Sequence, residues 1–354
     1  MKELALVNLT NTLVDKSVAI YLLYIGGGLY SVVYGWFAGY LVSTLLGLVL
    51  TVKFLGILGK PHPIKPLLNF SYPLHISGVL VFISGWVDQL LILPYMGESS
   101  LAYYGLAARA AAVPGLISLS IVTALFPQLS ELHARNGREN LRNAFYVSTR
   151  YAVLVSFPAI LGLAALANLV IAIFAGAQYS EAALPLAFLC LAGLPGVLGA
   201  AMNPILLTLE RTRTALAITV ISIFSNMAIS YFTLAYLNLG MVGPAWARIF
   251  ASIVGLGLGV YLLRGVVEIN FDREALWKAS VGSIFMVVAV VSLEKLVFHW
   301  YLLPLYIAVG VAVYFFSLVA LRTIKKRDIE LIYDYLPIRL KQMAFWLDRM
   351  TVAK

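Results

Sequence analysis

The sequence predicts an all-α integral membrane protein with about ten transmembrane helices. Three observations carry this. Hydrophobic residues make up 62% of the 354 and charged residues only 12%, against about 45–50% and 25% in soluble domains. The apolar residues lie in long runs, each matching the roughly 20 residues that a spanning helix needs. Lys and Arg crowd into every second gap between those runs.

The expected spans are 6–28, 31–52, 71–95, 101–127, 148–174, 182–208, 213–237, 241–263, 276–298 and 300–322. The gaps hold, in turn, Lys53, Lys60 and Lys65; Arg135, Arg138 and Arg142; Arg211 and Arg213; Arg264 and Arg273; and, after the last span, Arg322, Lys325, Lys326 and Arg327. The intervening gaps have no Lys or Arg, with Lys295 just inside the end of its span. Positively charged loops stay in the cytoplasm, so both termini are expected there, in a multi-pass protein of the cell membrane. The net charge of +9 then has a topological origin, and nucleic acid is not an expected partner.

The gaps on the other face are a few residues long, too short for an external domain. The longest basic gap, about 20 residues, cannot fold a nucleotide-binding domain. The N-terminus has no small-residue cleavage site, so no signal peptide is expected. The single cysteine, Cys190, can form no internal disulfide. Residues 328–350 place Ile329, Ile332, Leu336, Leu340, Met343, Leu347 and Met350 at three- and four-residue steps. They predict an amphipathic interfacial helix broken at Pro337.

Residues 14–60 and 226–272 look alike. Each has tyrosines in one span (Tyr21, Tyr24; Tyr231, Tyr236), a turn marked by glycine (Gly26–Gly28; Gly240), a second span and a basic gap. Internal repeats of this kind build many transporters. Gly35 and Gly39 form a small-xxx-small pair that predicts close helix packing within the chain.

Ionisable residues inside spans are costly and mark functional sites. Asp88 and Arg109 fall at matching depths on adjacent antiparallel spans, so an Asp88–Arg109 ion pair is expected. Arg248 lies at a similar depth with no evident partner. Asp15 and Lys16 fall mid-span, as does Asn226. As a purely structural pair, Asp88–Arg109 would hold two helices together; as part of a cavity, these residues would face substrate. Together the five charges leave one net positive charge, which suits a phosphate-bearing ligand, because Arg presents a planar donor fork.

No phosphate-binding loop of the form G-x-x-x-x-G-K-[ST] and no H-E-x-x-H occur. The four histidines are scattered, so no metal, cofactor or catalytic set is expected.

Several stretches then carry a resemblance. They are Phe70-Ser71-Tyr72-Pro73-Leu74 with Trp86-Val87-Asp88; Tyr103-Tyr104-Gly105-Leu106-Ala107-Ala108-Arg109; Leu125-Phe126-Pro127-Gln128-Leu129-Ser130-Glu131-Leu132; Arg150-Tyr151 with Pro158; Phe174-Ala175-Gly176-Ala177-Gln178-Tyr179; and Gly240-Met241-Val242-Gly243-Pro244-Ala245-Trp246-Ala247. In order and spacing the chain resembles the polysaccharide and lipid-linked oligosaccharide flippases of the multidrug/oligosaccharidyl-lipid/polysaccharide exporter superfamily. The resemblance implies two six-helix lobes, sometimes followed by an extra pair. On that plan residues 1–60 match the last two helices of a first lobe. Residues 61–264 match a complete second lobe, 265–325 an extra pair and 326–354 the cytoplasmic tail. Four helices of the first lobe have no counterpart.

The function implied is movement of a polyprenyl- or dolichyl-phosphate-linked oligosaccharide to the outer leaflet, with no enzyme activity. The bilayer, this anionic substrate and glycan-assembly enzymes are the implied partners. Asp15, Lys16, Asp88, Arg109, Asn226 and Arg248 are the candidate cavity residues. Three alternatives are an ion-coupled antiporter of the same fold, a membrane-embedded glycan-processing enzyme and an inactive truncated product.

Overall fold

A computed structural model describes residues 2–55, 64–264, 269–296 and 300–323. Every regular element among these residues is helical. The amphipathic tail expected over 328–350 lies outside the described residues. The chain divides into two compact units, Met1–Pro66 and Leu67–Lys354.

The first unit is a helical hairpin of α1 (Lys2–Tyr24) and α2 (Tyr30–Leu55). The turn passes through Gly26 (φ +87°) and Gly28 (φ +58°), a left-handed conformation that glycine adopts without steric penalty. The small-residue pair does what its spacing implies. A Cβ on Gly35 would lie 2.6 Å from the Asp15 carbonyl oxygen, and one on Gly39 would lie 2.9 Å from both the Asn11 carbonyl oxygen and Asp15 Cβ. The two backbones therefore approach with nothing between them. Asn11 adds a bond from Nδ2 to Ser43 Oγ, 3.1 Å.

All but the first three residues of a long helical run, α3 (Ile64–Ala165), belong to the second unit, and that run cannot be straight. Tyr104 reaches Asp88, sixteen residues away, which a straight helix would separate by about 24 Å. The reversal lies at Gly97 (φ +80°). A second reversal follows, since Ser118 and Ser156 touch through their hydroxyls at 2.6 Å. The run thus supplies three antiparallel arms. After it come α4 (Ala167–Phe174), α5 (Ala183–Gly199), α6 (Met202–Thr208), α7 (Thr212–Ala235), α8 (Val242–Leu263), α9 (Arg273–Leu296) and α10 (Leu303–Ala320).

Eight described stretches are long and apolar enough to cross a membrane, and they account for nine of the ten expected spans. One of them, Ile64–Ile121, holds two spans folded about Gly97. The tenth, 6–28, is helical as α1 but polar in its middle, where Asn11, Asp15 and Lys16 fall, and is not among the eight. The protein is a multi-pass membrane protein.

The span expected over 182–208 is broken between α5 and α6 at Ala200–Ala201. Pro204 has no N–H, so the Ala200 carbonyl loses its partner one turn on. The α7–α8 turn passes through Asn238 (φ +49°) and Gly240 (φ +59°), as the α1–α2 turn passes through two left-handed glycines. The largest core gathers Ile92, Tyr104, Val153, Ile171, Leu186 and neighbours from the arms of α3, α4 and α5. The α9–α10 pair forms a cluster of its own, Met286, Val290, Tyr306 and Tyr314 with Leu166 and Leu169. Tyr314 donates to the Leu154 carbonyl at 2.7 Å.

A polar knot fixes the other end of that pair. Asp272 caps α9, its Oδ1 accepting the Ala275 N–H at 2.9 Å. Its Oδ2 accepts from the Tyr146 hydroxyl (2.5 Å) and Arg150 Nη1 (2.6 Å). Arg150 Nη2 then donates to the Thr323 carbonyl, 2.8 Å, just past α10. Burial alone would raise the Asp272 carboxyl, but the bonds from Tyr146, the Ala275 N–H and Arg150 prevail and hold it near 2. The folded value lies below the ordinary aspartate value of 3.8. The stabilisation is therefore complete above about 4 and is lost only as the pH falls through about 2.

Two outcomes follow for purified protein. Gly39→Leu destabilises the first unit by about 1–3 kcal/mol through overpacking. Gly47→Leu, whose Cβ would meet nothing within 4 Å, is neutral; thermal unfolding monitored by far-UV dichroism in detergent compares them. Asp272→Asn, which removes the carboxylate charge that faces the buried Arg150, lowers stability by about 3–5 kcal/mol. That loss is constant across the neutral pH range, as melting curves at several pH values will show.

Candidate functional site

The site begins with one fully buried carboxylate. Asp88, in the first arm of α3, has no exposed surface, and such a charge survives only if paired and fully hydrogen-bonded. Four side chains donate to it. Asn226 Nδ2 (2.8 Å) and Ser230 Oγ (3.2 Å) reach Oδ1 from α7. The Tyr104 hydroxyl (2.9 Å) reaches Oδ2 from the second arm of α3, and Arg248 Nε (2.5 Å) reaches it from α8. Arg248 Nη2 also donates to the Ser84 carbonyl, 3.3 Å. Three helical segments are thereby tied to the first arm.

Local sequence explains who arrives. Asn226 and Ser230 are one turn apart on α7, so both face the same neighbour. They belong to a polar stripe, Thr219, Ser222, Asn226, Ser230 and Thr233, at steps of three or four. Gly243 lets that stripe come close to α8, since a Cβ there would sit 2.7 Å from Thr233 Oγ1.

The expected Asp88–Arg109 pair does not form. Asp88 pairs with Arg248 instead, which supplies the partner that Arg248 lacked in the sequence. The reason is the register of the hairpin. Gly97 reverses the chain so tightly that Tyr104 and Gly105 stand opposite Asp88 and Gln89. Arg109 then lies about 7.5 Å further along and about 140° around the helix from Tyr104. It is exposed and outside the residues that line the cavity described next. Asp15 and Lys16 belong to the first unit. They pair with each other at 2.8 Å, Asp15 nearly buried and Lys16 61% exposed.

Beside the buried carboxylate, within the second unit, lies a cavity of about 590 Å³. It runs from Leu206 and Ala215, near the basic turn between α6 and α7, up to Asn226, Ser84 and Arg248. Small residues, among them Ala111, Gly196 and Gly255, make much of its wall. The α5–α6 break borders it through Gly199, Met202 and Asn203, as broken membrane helices do where they line a polar space. The described lining has no carboxylate and no aromatic ring. Its one cation is Arg248, whose side chain is 33% exposed. With Nε and one Nη2 N–H engaged, its remaining N–H groups are open to a ligand.

With that geometry in place, comparison with known proteins assigns the family. Residues 1–184 match the polysaccharide biosynthesis protein family. The chain belongs to this family. A relative in Haloferax volcanii, described as a probable low-salt glycan biosynthesis flippase, Agl15, is 25% identical over 305 residues. The match covers 82% of this chain and 63% of that protein. The teichuronic acid biosynthesis protein TuaB of Bacillus subtilis is 28% identical over 199 residues, 52% of this chain and 38% of the relative. The chain thus spans less than two thirds of the length of these relatives. Among solved structures, the lipid II flippase MurJ in an inward closed conformation superposes with a TM-score of 0.68 at 19% identity, covering 87% of this chain and 66% of that one. An outward-facing multidrug resistance transporter of the MATE family gives 0.52 at 17% identity, covering 81% and 68%. The second carries the same fold likeness at lower similarity, and the chain shares the fold of these two transporters.

Tyr104 and Ser230 were not among the sequence candidates. Ser230 was accessible from its four-residue step from Asn226, and Tyr104 from the hairpin register, once Gly97 is taken as the reversal point.

Replacing Asp88 by Ala strands Arg248 in the protein interior and destabilises the second unit by about 3–5 kcal/mol. Adding Arg248→Met to it recovers most of the loss. A double-mutant cycle on thermal unfolding measures the coupling, and additive single effects would disprove the pairing.

Proposed function

We propose that the chain moves a polyprenyl- or dolichyl-phosphate-linked oligosaccharide across the membrane, from the cytoplasmic to the outer leaflet of the cell membrane, as a translocator rather than an enzyme. The observation that carries this is Arg248. It is oriented by Asp88 and borders a largely apolar cavity whose described lining has no carboxylate and holds a few amides and hydroxyls. A guanidinium so placed favours phosphate. Family membership and the name of the Haloferax relative support the same reading. In this reading the basic loops and both termini are cytoplasmic. Residues 1–60 form part of one lobe, 61–264 a second lobe, 265–325 an added helix pair and 326–354 an interfacial tail. Glycan-assembly enzymes at the membrane would supply the substrate and receive it. The lipid tail stays in the bilayer while the head group crosses the cavity.

The alternative of an antiporter for cationic compounds needs a carboxylate open to the cavity, and Asp88 is fully buried. The description of the Haloferax relative as a probable flippase favours a translocator over an embedded glycan-processing enzyme.

In proteoliposomes loaded with fluorescent lipid-linked sugars, Arg248→Ala lowers the rate of leaflet exchange by about tenfold or more, the loss of a charged hydrogen bond. Arg248→Lys keeps part of the rate, and Arg109→Ala stays near wild type. Full exchange by Arg248→Ala would remove the basis of this proposal.

A further inference from the structure

We propose that the junction of α8 and α9 binds the head group of an anionic phospholipid of the bilayer. Arg264 and Arg273 hold the phosphodiester, and Tyr261 and Trp277 seat the glycerol and the first acyl carbons beneath it. This surface is separate from the cavity and independent of what the cavity takes.

The core brings the two helix ends together. Leu263, the last residue of α8, is buried in one cluster with Phe145, and Phe271, just before α9, packs on that cluster. The Phe145 and Phe271 rings meet edge to face at 5.4 Å. Arg264 follows Leu263 directly and Arg273 comes two residues after Phe271, so both exposed side chains leave one corner on the side of the basic turns. Each has an aromatic ring one turn further into the membrane. Tyr261 lies three residues before Arg264 and Trp277 four after Arg273, about 4.5 Å and about 6 Å deeper along the helix axes. Both rings are 70% exposed. Spacings of three and four put each ring on the helix face of its arginine. On α9 that face continues through exposed Ile284 and Val288, the apolar stripe expected against acyl chains.

The charge at this corner is uncompensated. Two carboxylates adjoin Arg273, and both are engaged elsewhere. Asp272 is buried and takes Arg150 Nη1 at 2.6 Å. Glu274 takes Lys278 Nζ at 2.6 Å, and Lys278 also donates to the Arg322 carbonyl, 3.2 Å. The side chains of Arg264 and Arg273 have no ion pair among the described residues. Exposed Trp and Tyr rings sit at head-group level in a bilayer, and arginines reach past them to the phosphates. Basic pockets beside transmembrane helices take anionic head groups. A choline head group brings its own cation towards the arginines, whereas a glycerol head group brings none, so the partner is an anionic lipid such as phosphatidylglycerol. The arrangement is local. Arg211 and Arg213, at the start of α7, are followed one turn in by Ala215, Leu216 and Ala217, which supply no ring.

The test is native mass spectrometry of the full chain in detergent, titrated with phosphatidylglycerol or with phosphatidylcholine. Wild type is expected to bind the anionic lipid about tenfold more tightly, the scale of two cations beside one lipid anion. Arg264→Gln combined with Arg273→Gln loses most of that preference, and Trp277→Ala weakens both lipids. Arg211→Gln combined with Arg213→Gln keeps it. All five positions are exposed, and unchanged thermal unfolding checks that the variants fold. No preference in wild type, or an undiminished one in the Arg264/Arg273 variant, overturns the proposal. An equal loss in the Arg211/Arg213 variant also overturns it, since that marks general attraction to the basic face. Displacement of phosphatidylglycerol by millimolar inorganic phosphate overturns it too, because the site then reads phosphate and not a lipid.

Discussion

A carboxylate with no access to water organises the second unit. An ionised group in an apolar interior is tolerable only when opposite charge and hydrogen-bond donors replace its lost hydration. Asp88 receives both, from Arg248 on α8, Asn226 and Ser230 on α7, and Tyr104 on the next arm of its own helical run. Helices in lipid gain nothing from mutual hydrophobic burial, so packing and polar contacts must hold them. Here one buried anion fixes four segments at once, and it sets the direction of the guanidinium and the amide that border the cavity.

The two ends of the second unit are held in different ways. Near the turns that lack Lys and Arg, the Asp88 cluster works beside a cavity. Near the basic turns, Asp272 joins the start of α9, the third arm of α3 and the end of α10 through Tyr146 and Arg150. The second knot combines a helix cap with a salt bridge. It ties the α9–α10 pair to the rest of the unit, and the low carboxyl value near 2 keeps it intact at any physiological pH. The first unit depends on neither. Its hairpin closes through glycine contact, Gly35 and Gly39 against the backbone of α1.

Much of this was legible in the chain. Apolar run length and the alternation of basic gaps predicted the spans, because a bilayer imposes length and charge sidedness directly on sequence. Gly35 and Gly39 were readable because close helix contact requires small residues. Asp88, Asn226 and Arg248 were found as misplaced polar groups. Their mutual arrangement was not. Depth along a helix can be counted from sequence, but facing depends on where a turn reverses the chain, and the tight reversal at Gly97 put Tyr104 rather than Arg109 opposite Asp88. Asp272 lay in a gap, where a charge is unremarkable. Its partners Tyr146 and Arg150 are 126 and 122 residues away, a pairing that no local pattern records.

The central claim is that Arg248, held by a buried carboxylate, receives the phosphate of a lipid-linked sugar. An electron cryomicroscopy structure of the chain bound to a short-chain polyprenyl-phosphoryl sugar tests it most directly. The account predicts phosphate density within hydrogen-bonding distance of the Arg248 guanidinium, with the Asp88 contact still in place. Phosphate density elsewhere, with Arg248 donating only to Asp88 and Ser84, would contradict it.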